Sequence, residues 1–224
     1  ANAKAWSPEQ PYLYTLEINL YQGNKLADRL RQRVGIRTVA VSKEHGFQLN
    51  GQSRKFKGVC LHHDLGPLGA AVNKAAIIRQ IRLMKDMGVD AIRTSHNMPS
   101  QMQMQVCDSM GMMVMAESFD AWKEPKVKNG YNLFYDQWWR KDLENLIRGH
   151  RNHPSIVMWS IGNEIPEQWN KEGAQRAKDM TDYCHQLDNT RPVTCGGDNP
   201  KANTECGFYA ALDVPGFNYR VHLY

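Results

Sequence analysis

"RNHPSIVMWSIGNE", residues 151–164, sets a nearly continuous apolar run between a polar lead-in and an abrupt polar end. A run of this kind, without alternation, reads as a strand buried on both faces. Such strands belong to parallel sheets covered by helices. The run closes on Asn163-Glu164, an amide beside a carboxylate. Ligand groups in parallel α/β folds gather at the carboxyl ends of strands, so the pair marks a candidate rim.

Outward from this run, strands and helices alternate. "FKGVC" (56–60) leads into "NKAAIIRQIRLMKDMG" (73–88), where Ile77, Ile81 and Met84 share a helix face. Asn73 can cap that helix and Gly88 can end it. "DAIRTSH" (90–96) precedes "SQMQMQVCDSMG" (100–111), with Met102, Val106 and Met110 spaced the same way. "MMVMAE" (112–117) is followed by a long loop and the helix "DQWWRKDLENLIRGH" (136–150). Beyond the opening run come the helix "GAQRAKDMTDYCHQL" (173–187) and the strands "PVTCGG" (192–197) and "DVPGFNY" (213–219). Repeated βα units imply a parallel sheet, either open and doubly wound or a barrel. The strand ends favour the barrel. Polar groups follow almost every strand: His62, His63 and Asp64; Arg93, His96 and Asn97; Glu117; Asn163 and Glu164; Asn218 and Tyr219. An open sheet would concentrate them at one switch point. The expected class is α/β, a (β/α)8 TIM-barrel type truncated after about six strands. No glycine-rich phosphate loop follows the first strand, which weighs against a nucleotide fold.

The opening segment has a different grammar. In "YLYTLEINLYQGNKLADRLRQRVGIRTVAV" (12–41), Tyr14, Leu16, Ile18 and Leu20 alternate with Thr15, Glu17 and Asn19, the pattern of a half-buried strand. Gln22-Gly23-Asn24 offers a turn into a second extended run. Two or three strands cannot make a sandwich of about 100 residues. Residues 1–46 are therefore expected to be the last strands of a larger β domain, and 47–224 the first part of the barrel. "FQLNGQSRK" (47–55) reads as a small hairpin with Asn50-Gly51 in the turn.

Composition excludes several classes. The chain is 42% hydrophobic and 23% charged, with a formal charge of +5 spread along its length. Neither a nucleic-acid footprint nor a membrane span is expected. Five cysteines, with no CxxC pair, suggest buried free thiols. "ANAKAWSPEQ" is no signal peptide. The compartment stays unknown, a soluble protein of bacterial cytoplasm or periplasm fitting equally.

Glu164, sheltered at a barrel mouth by Trp159 and Trp169, suits a general acid; the bland alternative is a surface Glu capping the next helix. Asn163 can donate to one sugar hydroxyl and accept from another. His62 and His96 can grip hydroxyls, or be ordinary loop histidines. A metal site completed by Asp64 is not expected, because "HHD" lacks the i, i+4 spacing of a helical zinc motif. Arg93 can orient a carboxylate or make a solvated salt bridge. Trp122 can stack on a sugar face, whereas Trp138 and Trp139 read as packing residues.

"RNHPSIVMWSIGNE" closely resembles the acid/base signature of family 2 glycoside hydrolases, the group of β-galactosidases, β-glucuronidases and β-mannosidases. "GVCLHHD" (58–64), "IRTSHN" (92–97) and "VMAESFDAW" (114–122) resemble that family's blocks after the first three barrel strands. "SPEQPYLYTL" (7–16) and "RVGIRTV" (33–39) resemble its immunoglobulin-like domain, and "WSIGNE" with "FNYRVHLY" (217–224) leans toward β-galactosidases. The resemblance implies retaining hydrolysis of terminal β-galactosides, with Glu164 as acid/base and Asn163 on the sugar 2-hydroxyl. It implies substrate contacts from His62, His96, Asn97, Asp64 and Trp122, with Arg93 and Tyr219 orienting the nucleophile. A β-glucuronidase, a β-mannosidase or a non-catalytic sugar-binding domain are the alternatives. Some members bind Mg²⁺ through a Glu-x-His after the third strand; "ESFDAWKEP" (117–125) has no such triplet, so no cofactor is expected. The family's nucleophile is a Glu after the seventh strand, expected beyond Tyr224, which would leave these residues inactive alone. Glu117, Asp64, Asp198, Glu205 and Asp213 are weaker substitutes. The implied partner is a β-linked carbohydrate, and open sheet edges could also pair copies of the chain.

Overall fold

The computed structural model describes residues 3–223. The hairpin β1 (Tyr14–Gln22) and β2 (Lys25–Val34) comes first. A three-stranded antiparallel sheet follows, made of β3 (Val39–Ser42), β4 (Gly46–Leu49) and β5 (Gln52–Ser53). Then strands and helices alternate: β6 (Gly58–His62), α1 (Lys74–Asp86), β7 (Ala91–Ser95), α2 (Gln101–Met110), β8 (Met113–Glu117), α3 (Tyr135–His150), β9 (Ile156–Asn163), α4 (Lys171–Leu187), β10 (Val193–Gly197), α5 (Pro200–Glu205) and β11 (Val214–Phe217).

β6 to β11 form one sheet in chain order, every neighbouring pair parallel. β9 is buried at all its positions, as its run of Ile, Val, Met and Trp requires. One side of the sheet meets the helices. Ile77 and Ile81 of α1, Cys107 of α2, Leu143 and Ile147 of α3 and Met180 of α4 pack there against Ile92, Val114, Trp159, Ile161 and Val193. Side-chain caps set the helix starts: Asn73 accepts from Ala76 N–H at 3.0 Å, Ser100 from Gln103 at 3.1 Å and Asn170 from Gly173 at 2.8 Å.

The bottom of the sheet has its own small core of Trp6, Phe47, Leu49, Ala91, Met113 and Val157. The β3–β5 sheet supplies Phe47 and Leu49. Its β4–β5 turn holds Asn50 at φ 52° and Gly51 at φ 76°, the left-handed pair of a tight hairpin. β3 pairs with β4, so the two strands join across the division expected after residue 46. The N-terminal segment is bolted to this floor. Trp6 Nε1 donates to Asp108 O at 2.8 Å, Asn50 Nδ2 to Trp6 O at 3.0 Å, and Arg37 Nε to Pro154 O at 3.1 Å.

Two expectations need correcting, and one helix face is wider than expected. On α2, Met102, Val106 and Met110 do pack against the core, and the inward face extends beyond them to Met104, Cys107 and Asp108. Asp108 turns the helix inward, because its carboxylate accepts from both Ser155 N–H and Ser155 Oγ. The β1 alternation is real, but its apolar row lies open: Leu16, Ile18 and Leu20 are 43%, 52% and 62% exposed. Among the described residues no second sheet covers that row. All five cysteines are free, yet Cys60 is exposed, because β6 is an outer strand of the sheet. No described helix is long and apolar enough to cross a membrane.

Candidate active site

Because the sheet is parallel, the carboxyl ends of its strands form one rim. His62 ends β6, His96 follows β7, Glu117 ends β8, Asn163 and Glu164 close β9, and Asn218 and Tyr219 follow β11.

Glu117 is fully buried and anchors the site. Its Oε2 accepts from Arg93 Nε and from Ser160 Oγ, each at 2.6 Å. Its Oε1 lies 2.6 Å from His96 Nδ1. An ionised Glu117 makes that nitrogen the donor, leaving His96 Nε2 for another partner. Burial opposes the charge of Arg93, but the Glu117 carboxylate holds its pKa above the usual range. Arg93 Nη2 then donates to Asn163 Oδ1 at 2.8 Å. Asn218 Nδ2 donates to the same oxygen at 3.0 Å and to Glu164 Oε1 at 2.7 Å. One continuous chain of contacts thus runs His96, Glu117, Arg93, Asn163, Asn218, Glu164. Much of it is charge-assisted, which fixes geometry strongly.

Glu164 stands just past the strand with φ 46°, a left-handed conformation that costs a non-glycine residue about 1–3 kcal/mol. Its N–H donates to Gly196 O at 2.7 Å, which holds the turn. A Cβ on Gly196 would come within 3.0 Å of Arg93 Nη2 and 3.1 Å of the Asn218 amide, so the network crosses where a side chain is lacking. Tyr219, at φ 61°, stands beside Glu164, and that carboxylate raises the phenol pKa. Asn163 is also held from the β8–α3 loop. Its Nδ2 donates to Asp120 Oδ1 at 3.2 Å, and its carbonyl accepts from Lys126 Nζ at 2.6 Å. Burial works against the Asp120 charge, yet bonds from Lys126 and Asn163 keep its carboxyl below the usual range.

The structure brings together Arg93, His96, Asn163, Glu164 and Tyr219, with the His62 ring edge-on to His96 at 5.1 Å. Asn97 is exposed beside them and lines a cleft with His96, Phe119, Asp120, Tyr131 and Asp142. Asp64 instead shapes its own loop, accepting from Gly66 N–H. Trp122 is not a sugar platform: it is fully buried, donates to Ile161 O at 2.8 Å and packs near Phe208. Trp159 does not shelter Glu164 either. It lies in the helix-side core and donates to Asp188 Oδ2 at 3.0 Å. Trp169 is 57% exposed. The substitute carboxylates are engaged elsewhere: Asp213 accepts from Val193 N–H at the opposite rim, and Asp198 accepts from Gln168 Nε2. Mg²⁺ does not fit the end of β8, because Glu117 is already bound by a guanidinium and the residues after it are Ser118, Phe119 and Asp120. Among the described residues no three His, Cys, Asp or Glu side chains are grouped to hold a metal.

Asn218, Asp120, Lys126 and Ser160 were not singled out as site residues from sequence. Asn218 had a usable signal, its place directly after the sixth strand. Lys126 had none, since a lysine in a long loop looks like any solvated charge.

Fold and rim together define a TIM-barrel-type domain with a carboxylate held behind an amide. Residues 39–216 match the family description "Glycosyl hydrolases family 2, TIM barrel domain", and residues 1–37 match "Glycosyl hydrolases family 2". The chain belongs to glycosyl hydrolase family 2. It is 39% identical to a beta-galactosidase of Bacteroides ovatus over 245 residues, covering 96% of this chain and 29% of that protein. It is 40% identical to a putative beta-glucuronidase of Formosa agariphila over 215 residues, covering 96% of this chain and 19% of that one. A crystal structure of a glycosyl hydrolase family 2 member from Bacteroides cellulosilyticus superposes with a TM-score of 0.94 at 42% identity, covering 98% of this chain and 28% of that one. The chain therefore spans less than a third of the length of these relatives.

Proposed function

We propose that the protein containing this chain is a retaining β-glycosidase acting on terminal β-galactosides, with Glu164 as general acid/base. The observation that carries this reading is the clamp on Asn163 and Glu164 by Arg93 and Asn218 at the strand-end rim. Glu164 protonates the leaving glycosidic oxygen and later takes a proton from water. Asn163 meets the sugar 2-hydroxyl. His62 and His96 meet further hydroxyls, His96 through Nε2. Glu117 is not the attacking group, since both of its oxygens are engaged and it is fully buried. The nucleophile, about 5–5.5 Å from Glu164 in a retaining enzyme, is assigned to a part of the protein outside these 224 residues.

A β-glucuronidase is the second reading, on the relatives so named. The cleft beside His96 favours a neutral sugar. Asp120 and Asp142 line it, and the nearby Lys126 is already bound to Asp120 at 2.8 Å. A uronate would meet carboxylates there. We assign residues 1–46 to the end of a β-sandwich domain and 47–224 to the barrel.

The test is a panel of nitrophenyl β-galactoside, glucuronide, mannoside and glucoside run on the full-length protein. Galactoside should be turned over best, and Glu164→Gln should lower the rate about 10²–10⁴-fold. Unchanged turnover by Glu164→Gln would remove the acid/base assignment.

A further inference from the structure

Glu167 lies three residues beyond Glu164, in the 3-10 turn Pro166–Trp169, and is 1% exposed. The chemistry above does not use it. Its Oε1 accepts from two successive backbone amides, Lys123 N–H at 2.9 Å and Glu124 N–H at 3.1 Å. Arg176 Nη1 of α4 stands 3.8 Å from the same oxygen. Its Oε2 is buried with no hydrogen-bond partner. Leaving such an oxygen unpaired is unfavourable, so something else in the fold offsets it. The Glu167 backbone is pinned as well: a Cβ on Gly173 would fall 1.8 Å from its carbonyl oxygen.

The two amides that Glu167 holds sit between Asp120 and Lys126, the residues of the same loop that reach Asn163. The stretch 163–167 therefore grips one loop from two sides, through Asn163 at one end and Glu167 at the other. We propose that Glu167 is a positioning residue for Asn163: it fastens the 120–126 loop so that Asp120 and Lys126 keep the amide aligned. The inference rests on the reading of Asn163 and Glu164 as the sugar-binding and acid/base pair.

Two variants of the full-length protein test it. Glu167→Met keeps length and burial but removes the acceptor. Glu167→Gln keeps an acceptor oxygen. Hydrogen exchange of the amides at 119–129 reads the loop directly. It should quicken at least tenfold in Glu167→Met and by less than threefold in Glu167→Gln. Turnover of nitrophenyl β-galactoside reads the consequence. Glu167→Met should lower kcat/KM at least tenfold, and Glu167→Gln should restore at least a third of the original value. In an Asn163→Ala background the Glu167→Met penalty should shrink below threefold, since the residue acts through Asn163. An undiminished penalty in that background, or unaltered loop exchange, overturns the proposal. Should the unsubstituted protein turn over no glycoside of the panel, the functional reading fails. Loop exchange in the two variants then decides the fastening alone, faster in Met only upholding it and equal in both refuting it.

Discussion

Asn218 donates one amide group to both Asn163 and Glu164, so a single side chain sets the spacing of the pair. Asn218→Ala is expected to lower kcat/KM on an aryl β-galactoside about 10–100-fold, with a melting temperature within a few degrees of the parent. Equal turnover would show that Arg93 alone suffices. Glu117 answers differently, because it neutralises a partly buried guanidinium. Glu117→Gln should destabilise the protein by about 3–5 kcal/mol, read as a lower urea midpoint, since Arg93 then lacks its counter-charge. Much of this site was legible residue by residue. Asn163 ends β9 and Glu164 follows it, as the apolar run foretells, whereas Arg93 lies inside β7 rather than after it and reaches the rim with its long side chain. Trp122 was misread because an indole shortly after a strand end looks the same in sequence whether it faces sugar or core. Its Nε1 finds Ile161 O across the loop, and that partner is 39 residues away.

At the level of elements, local patterns found nearly every strand and helix of the barrel portion, because β9 and its neighbours repeat one grammar. The inward face of α2 is wider than its apolar spacing shows, because it contains Asp108, a residue that no hydrophobic pattern counts. The partners that bury it, Ser155 and His153, come from a different part of the chain. α5 was overlooked because it is one short turn-and-a-half, Pro200–Glu205, capped by Asn199. The end of α3 carries a pH response. Burial, with His153 nearby, pushes the His150 pKa down to about 4 from 6.5. Between those values the unfolded chain binds a proton that the folded chain refuses, so stability falls as pH drops from about 6.5 to 4. The loss should approach about 3 kcal/mol, and His150→Gln should flatten it in urea melts at pH 7.5, 5.5 and 4.5. A pH profile identical in the two proteins would place the response elsewhere. In α4, Gly173→Ala drives a methyl into the Glu167 carbonyl. A loss of more than about 3 kcal/mol is expected, above the roughly 1 kcal/mol gain that alanine gives inside a free helix.

Across the whole molecule, β6 and β11 each pair on one side only among the described residues, and the apolar row of β1 lies open. Unpaired strand edges and exposed apolar rows invite association. The 224-residue chain alone should therefore self-associate in light scattering at micromolar concentration, and Ile18→Lys should reduce that association. A clean monomer would count against the edge argument. The hairpin is where the sequence pattern and its burial part company, since its alternation is plain but among the described residues no other sheet covers the apolar row. The floor of the barrel has a consequence for anyone grafting parts between relatives. Trp6 and Arg37 tie the segment before β3 to Asp108 and Pro154, and Asn50 of the β4–β5 turn holds the Trp6 carbonyl, so the boundary between the two family matches is no seam for recombination. A chimera joined at residue 38 inherits foreign residues where the barrel's floor needs its own tryptophan and arginine. One joined ahead of Trp6 carries that floor intact, and hybrids of the two kinds should differ in soluble yield even when every residue of the rim is the same.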